Sequence, residues 1–346
     1  MTNTKALMRS ACVGAILAAT GMSGASAQQT IAPASATPVP GPMPEILRAY
    51  APVTAERLKK PEDGNWLMFR RTFDGWGYSP LDEINRENVS RLQPVWSFAT
   101  GQVEGHQAPP IVNNGVMFVA TPGNQLLAME AKSGKILWRY KRPFPEDMTP
   151  LHPTNRGVGL YGDKVYFAAA EAILVALDAK TGKEVWTAKV DDYKKGYYMS
   201  LAPLVVDGKV LLGASGGELG VRGFLAAFDA ETGKELWKTY TVPAPGEPGS
   251  ETWPAGGDHY KRGGASIWIT APTTPRPTSP SGAPATAAPG SAISVPATIS
   301  TPAQLSPSTP PAAQSRATSN ITPTIRGIGM KSRRRSSSTT SETEEP

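Results

Sequence analysis

Hydrophobic and polar positions in the middle of the chain repeat with a period of about 50 residues. Each copy has an apolar strand, a polar turn in which Asp or Glu leads to Ser/Thr-Gly-Lys, and a second strand that ends in Trp. The copies occupy residues 128–138, 176–186 and 227–237. Because glycine adopts the positive φ that such a turn needs, each copy predicts a β-hairpin.

A second hairpin is predicted before each copy, from two apolar runs joined by Asn, Asp or Gly. The paired runs are 111–112 with 116–120, 158–160 with 165–168, and 204–206 with 210–212. Four strands in about 50 residues are typical of a propeller blade. Trp138, Trp186 and Trp237 are expected to serve the packing of the blades.

The predicted fold class is therefore all-β, a partial β-propeller within residues 61–270. About three four-stranded blades fit between Gln107 and Tyr240. Three blades do not close a ring by themselves, because propellers typically have four to eight.

The two flanks differ from the blades in composition. Residues 28–60 form a Pro/Ala-rich arm with one short helical pattern over residues 44–58. Residues 271–346 are rich in Pro, Ser and Thr and contain no aromatic side chain. Such a segment buries too little surface to offset its ordering entropy, so a disordered C-terminal tail is predicted.

Residues 1–27 have the pattern of a secretory signal peptide. Lys5 and Arg9 precede an apolar run over residues 11–19, and small residues follow up to Ala27. The apolar run is too short to span a bilayer, so we expect export to a bacterial periplasm and no stable membrane span. Cys12, the single cysteine, lies inside this signal, so the mature chain would have none.

The distribution of charge argues against a nucleic-acid partner. The formal net charge is +6, from 35 basic and 29 acidic residues, and it lies entirely in the two ends. Residues 30–270 are neutral, so no nucleic-acid partner is expected.

Two motifs carry a family resemblance. Ser-Gly-Gly-Glu at residues 215–218 and the stretch 253–268, which begins and ends with Trp, accompany the repeat. Over about residues 65–270 the chain resembles the methanol/ethanol dehydrogenase family of quinoproteins. The resemblance implies a periplasmic eight-bladed propeller that oxidises a small primary alcohol with pyrroloquinoline quinone (PQQ) and bound Ca²⁺ or a lanthanide. It also implies a cytochrome c as electron acceptor and a homodimer in the intact family form.

The resemblance assigns roles to individual residues. Glu218 matches the carboxylate that ligates the metal, and hard cations take oxygen ligands. Trp268 matches the indole beneath the cofactor, and Arg156 the cation that hydrogen-bonds the carboxylate of the quinone. Ser200 takes the place of a cofactor-binding Thr. The full set implied for cofactor binding is Gln107, Arg156, Ser200, Ser215, Gly216, Gly217 and Trp268.

Two positions depart from the family pattern. Gln107 stands where many relatives have a cofactor-binding Glu. The glutamine keeps a hydrogen-bond acceptor but lacks the negative charge of the glutamate. Pro150 and Leu151 stand where many have two adjacent cysteines in a disulfide against the quinone. The resemblance therefore implies a branch without that disulfide.

Plainer readings stay open for these residues. Glu218 in a Gly-rich turn is otherwise a solvated loop acid, and Arg156 a member of a surface ion pair. The three histidines, His106, His152 and His259, lack metal-ligand spacing and are interpreted as structural.

The family's catalytic Asp and its second metal ligand, an Asn, do not appear after Thr270. One nucleotide lost after that codon would make residues 271–346 an out-of-frame translation. In the shifted frame, residues 320–331 are compatible with a Trp-Asp-x-Asp segment like that of the family. The competing reading is a natural Pro/Thr-rich tether.

The functional expectation is thus an oxidoreductase by family and an inactive, truncated form in this chain, with no catalytic residue present. The alternative function is a non-enzymatic propeller scaffold of the outer-membrane assembly type. That scaffold explains the repeats and the signal, but it does not explain residues 215–218 or Trp268.

Overall fold

The computed structural model describes residues 35–38, 41–103, 105–252, 256–261 and 264–273. The predicted signal peptide and all but the first three residues of the predicted tail lie outside these ranges. Within the described ranges, no helix has the length and apolar character needed to cross a membrane.

Three antiparallel sheets follow one another along the chain, and together they confirm the partial all-β propeller. The first sheet contains β1 (Ser35–Pro38), β2 (Ile111–Asn113), β3 (Val116–Thr121), β4 (Gln125–Glu130) and β5 (Ile136–Lys141). The second contains β6 (Val158–Tyr161), β7 (Lys164–Ala169), β8 (Ile173–Asp178) and β9 (Glu184–Lys189). The third contains β10 (Leu204–Val206), β11 (Lys209–Gly213), β12 (Phe224–Asp229) and β13 (Glu235–Tyr240). Every predicted hairpin is present.

The arm differs from its prediction in two ways. Its helical pattern forms two short helices, α1 (Glu45–Arg48) and α2 (Ala55–Lys59), because Pro52 lies between them and Thr54 caps the second. The Thr54 hydroxyl accepts from the Arg57 amide at 3.3 Å. The arm also supplies β1, which pairs antiparallel with β5 and gives the first sheet a fifth strand.

Neighbouring sheets meet through a tryptophan and a turn glycine, in the pairs Trp138 with Gly182 and Trp186 with Gly233. Trp96, which lies in the segment before the first sheet, packs in the same way against Gly134. Gly182 has a φ of +72°, and a Cβ built there would lie 2.6 Å from the indole of Trp138. The packing role predicted for Trp138 and Trp186 is therefore confirmed, while Trp237 is partly buried against the same core.

Candidate functional site

Four chain segments meet beside the second and third sheets. The Arg156 amide donates to the Ser200 carbonyl at 3.0 Å, and the Ser215 amide donates to the Tyr198 carbonyl at 3.0 Å. The Ile267 amide donates to the Ala214 carbonyl at 2.9 Å. These backbone bonds hold residues that are far apart in the sequence in one place.

The side chains of Arg156, Ser200, Ser215 and Trp268 form one cluster. Nη1 of Arg156 donates to the Ser200 hydroxyl at 2.7 Å and to the Trp268 carbonyl at 3.3 Å. The hydroxyls of the two buried serines lie 2.8 Å apart. The guanidinium carbon of Arg156 lies 4.6 Å from the centroid of the Trp268 indole. The structure thus brings together four of the residues that the resemblance assigned to the cofactor.

The charge at this cluster is uncompensated within the described part of the chain. Arg156 forms no ion pair there, so the surface ion-pair reading does not describe it. Burial lowers the pKa of Arg156, but a guanidinium stays protonated at neutral pH. All its hydrogen bonds to described residues run from Nη1, which leaves Nε and Nη2 for a ligand.

A planar, anionic aromatic group fits this cluster. The indole of Trp268 is 47% exposed and offers a surface for stacking. The guanidinium beside it suits a carboxylate in a bidentate arrangement. PQQ has this chemistry.

The loop that carries Glu218 is shaped by glycine. Gly217–Leu219 form a single 3-10 turn that follows Gly216, whose φ is +102°. A Cβ on Gly216 would collide with the Gly196 carbonyl, and one on Gly217 would lie 3.0 Å from the Ser266 hydroxyl. Glycine is therefore required at Gly216 for both its conformation and its surroundings.

Glu218 is exposed, and one of its carboxylate oxygens has a partner. The Tyr198 hydroxyl donates to Oε1 of Glu218 at 2.6 Å. Burial acts to raise the pKa of Glu218, but this hydrogen bond, the backbone and the nearby His152 hold the pKa below its usual value. Burial and the bond to Glu218 raise the pKa of Tyr198, so the phenol remains the donor. An ionised carboxylate fits one ligand position of a hard cation.

Tyr198 is a site residue that sequence reasoning missed. It precedes Ser200 by two positions, and it forms an isolated β-bridge with Ser215, whose hydroxyl lies 2.8 Å from that of Ser200. The spacing of two positions from Ser200 was the available signal.

Other predicted features lie nearby without joining the cluster. Gln107 is exposed and follows His106, which forms a β-bridge with Asn155, the neighbour of Arg156. No hydrogen bond of the described residues links Gln107 to the other assigned residues. The described ranges also contain no group of three or more His, Cys, Asp or Glu side chains that could hold a metal ion.

A pocket of about 380 Å³ lies between the Pro150-Leu151 segment and Tyr198. Leu151 and Leu219 border it and are 46% and 48% exposed. The segment is held by Asp147, which accepts from the Tyr193 hydroxyl at 2.8 Å and pairs with Lys194 at 2.8 Å. Pro150 and Leu151, which stand where many members of the resembled family have two adjacent cysteines, therefore give this pocket an apolar border.

Known proteins match this chain over its bladed part. The family model for the β-propeller domain of PQQ glucose/ethanol/alcohol dehydrogenases matches residues 66–274. The quinoprotein alcohol dehydrogenase PedH of Pseudomonas putida is 42% identical over 243 residues, which cover 64% of this chain and 40% of PedH. The quinone-dependent 1-butanol dehydrogenase of Thauera butanivorans is 38% identical, with 66% and 44% covered.

One solved structure extends the likeness to the fold. A europium-containing methanol dehydrogenase superposes with a TM-score of 0.56 at 35% identity, covering 62% of this chain and 41% of its own. The chain spans less than half the length of each of these three proteins.

Proposed function

This chain belongs to the PQQ-dependent glucose/ethanol/alcohol dehydrogenase family, and we propose that it is part of a quinoprotein that oxidises a primary alcohol to an aldehyde. The observation that best supports this proposal is the Arg156 cluster, which combines a cation that has no ion pair among the described residues, two buried hydroxyls and a half-exposed indole. The same cluster lies on a propeller segment of the matching family.

The residues of the cluster would hold PQQ in different ways. Arg156 would bind its carboxylates, Ser200 and Ser215 would supply hydroxyls, and the Trp268 indole would stack on its ring. Gly216 would let the backbone approach a flat ligand closely. When bound, PQQ supplies a quinone that accepts two electrons from the alcohol.

Glu218 would hold the Ca²⁺ or lanthanide ion, which supplies Lewis acidity when bound. Tyr198 fixes one carboxylate oxygen, and no other residue in the described ranges donates to the second. Glu218 therefore serves better as a ligand than as the solvated loop acid of the plainer reading.

The 346-residue chain is proposed to lack turnover of its own. Alcohol oxidation needs a general base, and a base must have an available lone pair. The carboxylate among the residues that line the described pocket is Asp147, and Lys194 and Tyr193 both engage it. Hydrogen bonds from Lys194 and then Tyr193 lower the pKa of Asp147, which makes it a weaker base.

The remaining proposals rest on the sequence pattern and on the family. The signal-like residues 1–27 support a periplasmic location, and the family supports a cytochrome c acceptor and a homodimer. Out-of-frame translation of residues 271–346 also remains a proposal. Resequencing of the locus tests it, since the second frame must encode further blades.

Binding of PQQ to the purified chain tests the proposed function. We expect the chain to retain PQQ, seen as visible absorbance and as quenching of tryptophan fluorescence. Arg156→Ala and Trp268→Ala should each weaken binding about tenfold or more. Arg86→Ala, at an exposed arginine away from the cluster, is the matched control. Absence of bound quinone would instead favour the non-enzymatic scaffold.

A further inference from the structure

The backbone alone does not fix the orientation of the Glu218 carboxylate. Its side chain is exposed and leaves a single 3-10 turn that lies between two left-handed glycines, Gly216 and Gly220. A glutamate at such a position has three side-chain torsions to order before it can ligate an ion. A contact from outside the turn would reduce that freedom further.

Tyr198 supplies that contact from a neighbouring segment. Its side chain is 6% exposed, and its carbonyl accepts the Ser215 amide at 3.0 Å in an isolated β-bridge. The phenol is thus anchored through both its packing and its backbone. Its hydroxyl donates to Oε1 of Glu218 at 2.6 Å.

We propose that Tyr198 is a positioning residue for the metal ligand: it holds the Glu218 carboxylate by one oxygen and leaves the other for a hard cation. The inference rests on the proposed function, because it takes Glu218 as a ligand of Ca²⁺ or a lanthanide. Groups that hydrogen-bond a metal ligand orient it before the ion arrives, and their loss typically weakens metal affinity 10–100-fold.

The test titrates Tb³⁺ into the full chain in the presence of PQQ and follows sensitised terbium luminescence. Tyr198→Phe keeps the ring and removes the hydroxyl, so the titration midpoint should rise about tenfold. Glu218→Gln should abolish the response. The midpoint is compared rather than the amplitude, because a tyrosine can itself sensitise terbium.

Tyr197→Phe is the matched control. Its hydroxyl donates to the Arg222 carbonyl at 3.2 Å and does not contact Glu218, so the terbium midpoint should stay within twofold of the unmodified chain. PQQ affinity, measured by tryptophan quenching, should be unchanged in Tyr198→Phe. Equal losses of PQQ and terbium binding would indicate a merely structural effect and overturn the proposal.

The other outcomes distinguish a failure of the role of Tyr198 from a failure of the proposed function. An unmodified chain that binds both PQQ and terbium, with an unchanged midpoint in Tyr198→Phe, overturns the role of Tyr198 alone. A chain that binds PQQ but no terbium overturns the metal role of Glu218 and this inference with it. A chain that binds neither overturns the proposed function.

Discussion

The indole of Trp138 lies against Gly182 in the turn of the next sheet, and its Nε1 donates to the Ala179 carbonyl at 3.0 Å. Trp138 therefore makes both its packing contact and its indole hydrogen bond with the same turn. The glycine leaves room for the ring, while the carbonyl three residues earlier fixes its direction.

Gly182→Ala should destabilise the chain by about 3 kcal/mol, from a strained positive φ and an overpacked indole. Urea denaturation followed by far-UV circular dichroism measures the loss. Gly64→Ala is the control, because a Cβ there meets nothing within 4 Å and no positive φ is involved. Equal stability of the two variants would contradict the packing described.

The two interfaces between complete sheets differ in one hydrogen bond. Trp186 Nε1 is buried and has no hydrogen-bond partner among the described residues, and the Ala230 carbonyl accepts the Tyr166 hydroxyl at 2.9 Å. Trp138→Phe should therefore cost about 1 kcal/mol more than Trp186→Phe, since only the former loses an indole hydrogen bond. Chemical denaturation of both variants measures the difference, and equal losses would count against it.

Ser200→Ala should weaken PQQ binding about fivefold, because Arg156 and Ser215 both lose a hydrogen-bond partner worth about 1 kcal/mol. Ser200→Thr retains the hydroxyl and should bind PQQ close to the level of the unmodified chain. Quenching of tryptophan fluorescence gives both affinities. A threonine variant as weak as the alanine variant would show that space at this buried position matters more than the hydroxyl.

Acid should loosen the arm through Glu62. The hydrogen bond from Arg57 at 2.7 Å lowers the pKa of Glu62 from 4.5 to about 2. A lowered folded-state pKa means that the contribution is complete above about pH 4.5 and disappears as the pH falls toward 2. The stability advantage over Glu62→Gln should shrink across that window, and Glu87→Gln, at an exposed glutamate, is the charge control. A stability difference from Glu62→Gln that stays constant between pH 4.5 and 2 would contradict the role given to the Arg57–Glu62 pair.

The 346-residue chain reconstituted with PQQ and Ca²⁺ or La³⁺ should show no dye-coupled oxidation of ethanol. The reason is that Asp147, the carboxylate among the described residues that line the pocket, is engaged by Lys194 and Tyr193. Spectroscopic proof of bound PQQ is the necessary control. Measurable turnover would mean that Glu218 or Asp147 can accept the alcohol proton after all.

The strands could be predicted from the sequence because the residues that specify each hairpin lie within that hairpin. A turn glycine, an acid and a terminal Trp recur locally, so 128–138 and its two repeats needed no long-range information. Strand β1 was not predicted, since it joins β5 through backbone hydrogen bonds that have no side-chain signature.

The candidate site was predictable only through the family motifs. Arg156 and Trp268 are 112 positions apart, and no local pattern places one over the other. Tyr198 was missed for a related reason: its partner Glu218 lies beyond an intervening hairpin. Backbone hydrogen bonds between distant segments bring these residues together. The period of the repeat predicts the strands but not these contacts between segments.

The order of the tryptophan and glycine pairs sets the order in which the packing partners are synthesised. In each pair the indole precedes, in the sequence, the turn that it packs against. During synthesis every new hairpin can therefore close onto an aromatic ring that has already been made. Blades would then be added one after another from the N-terminal side, without waiting for the remainder of the chain.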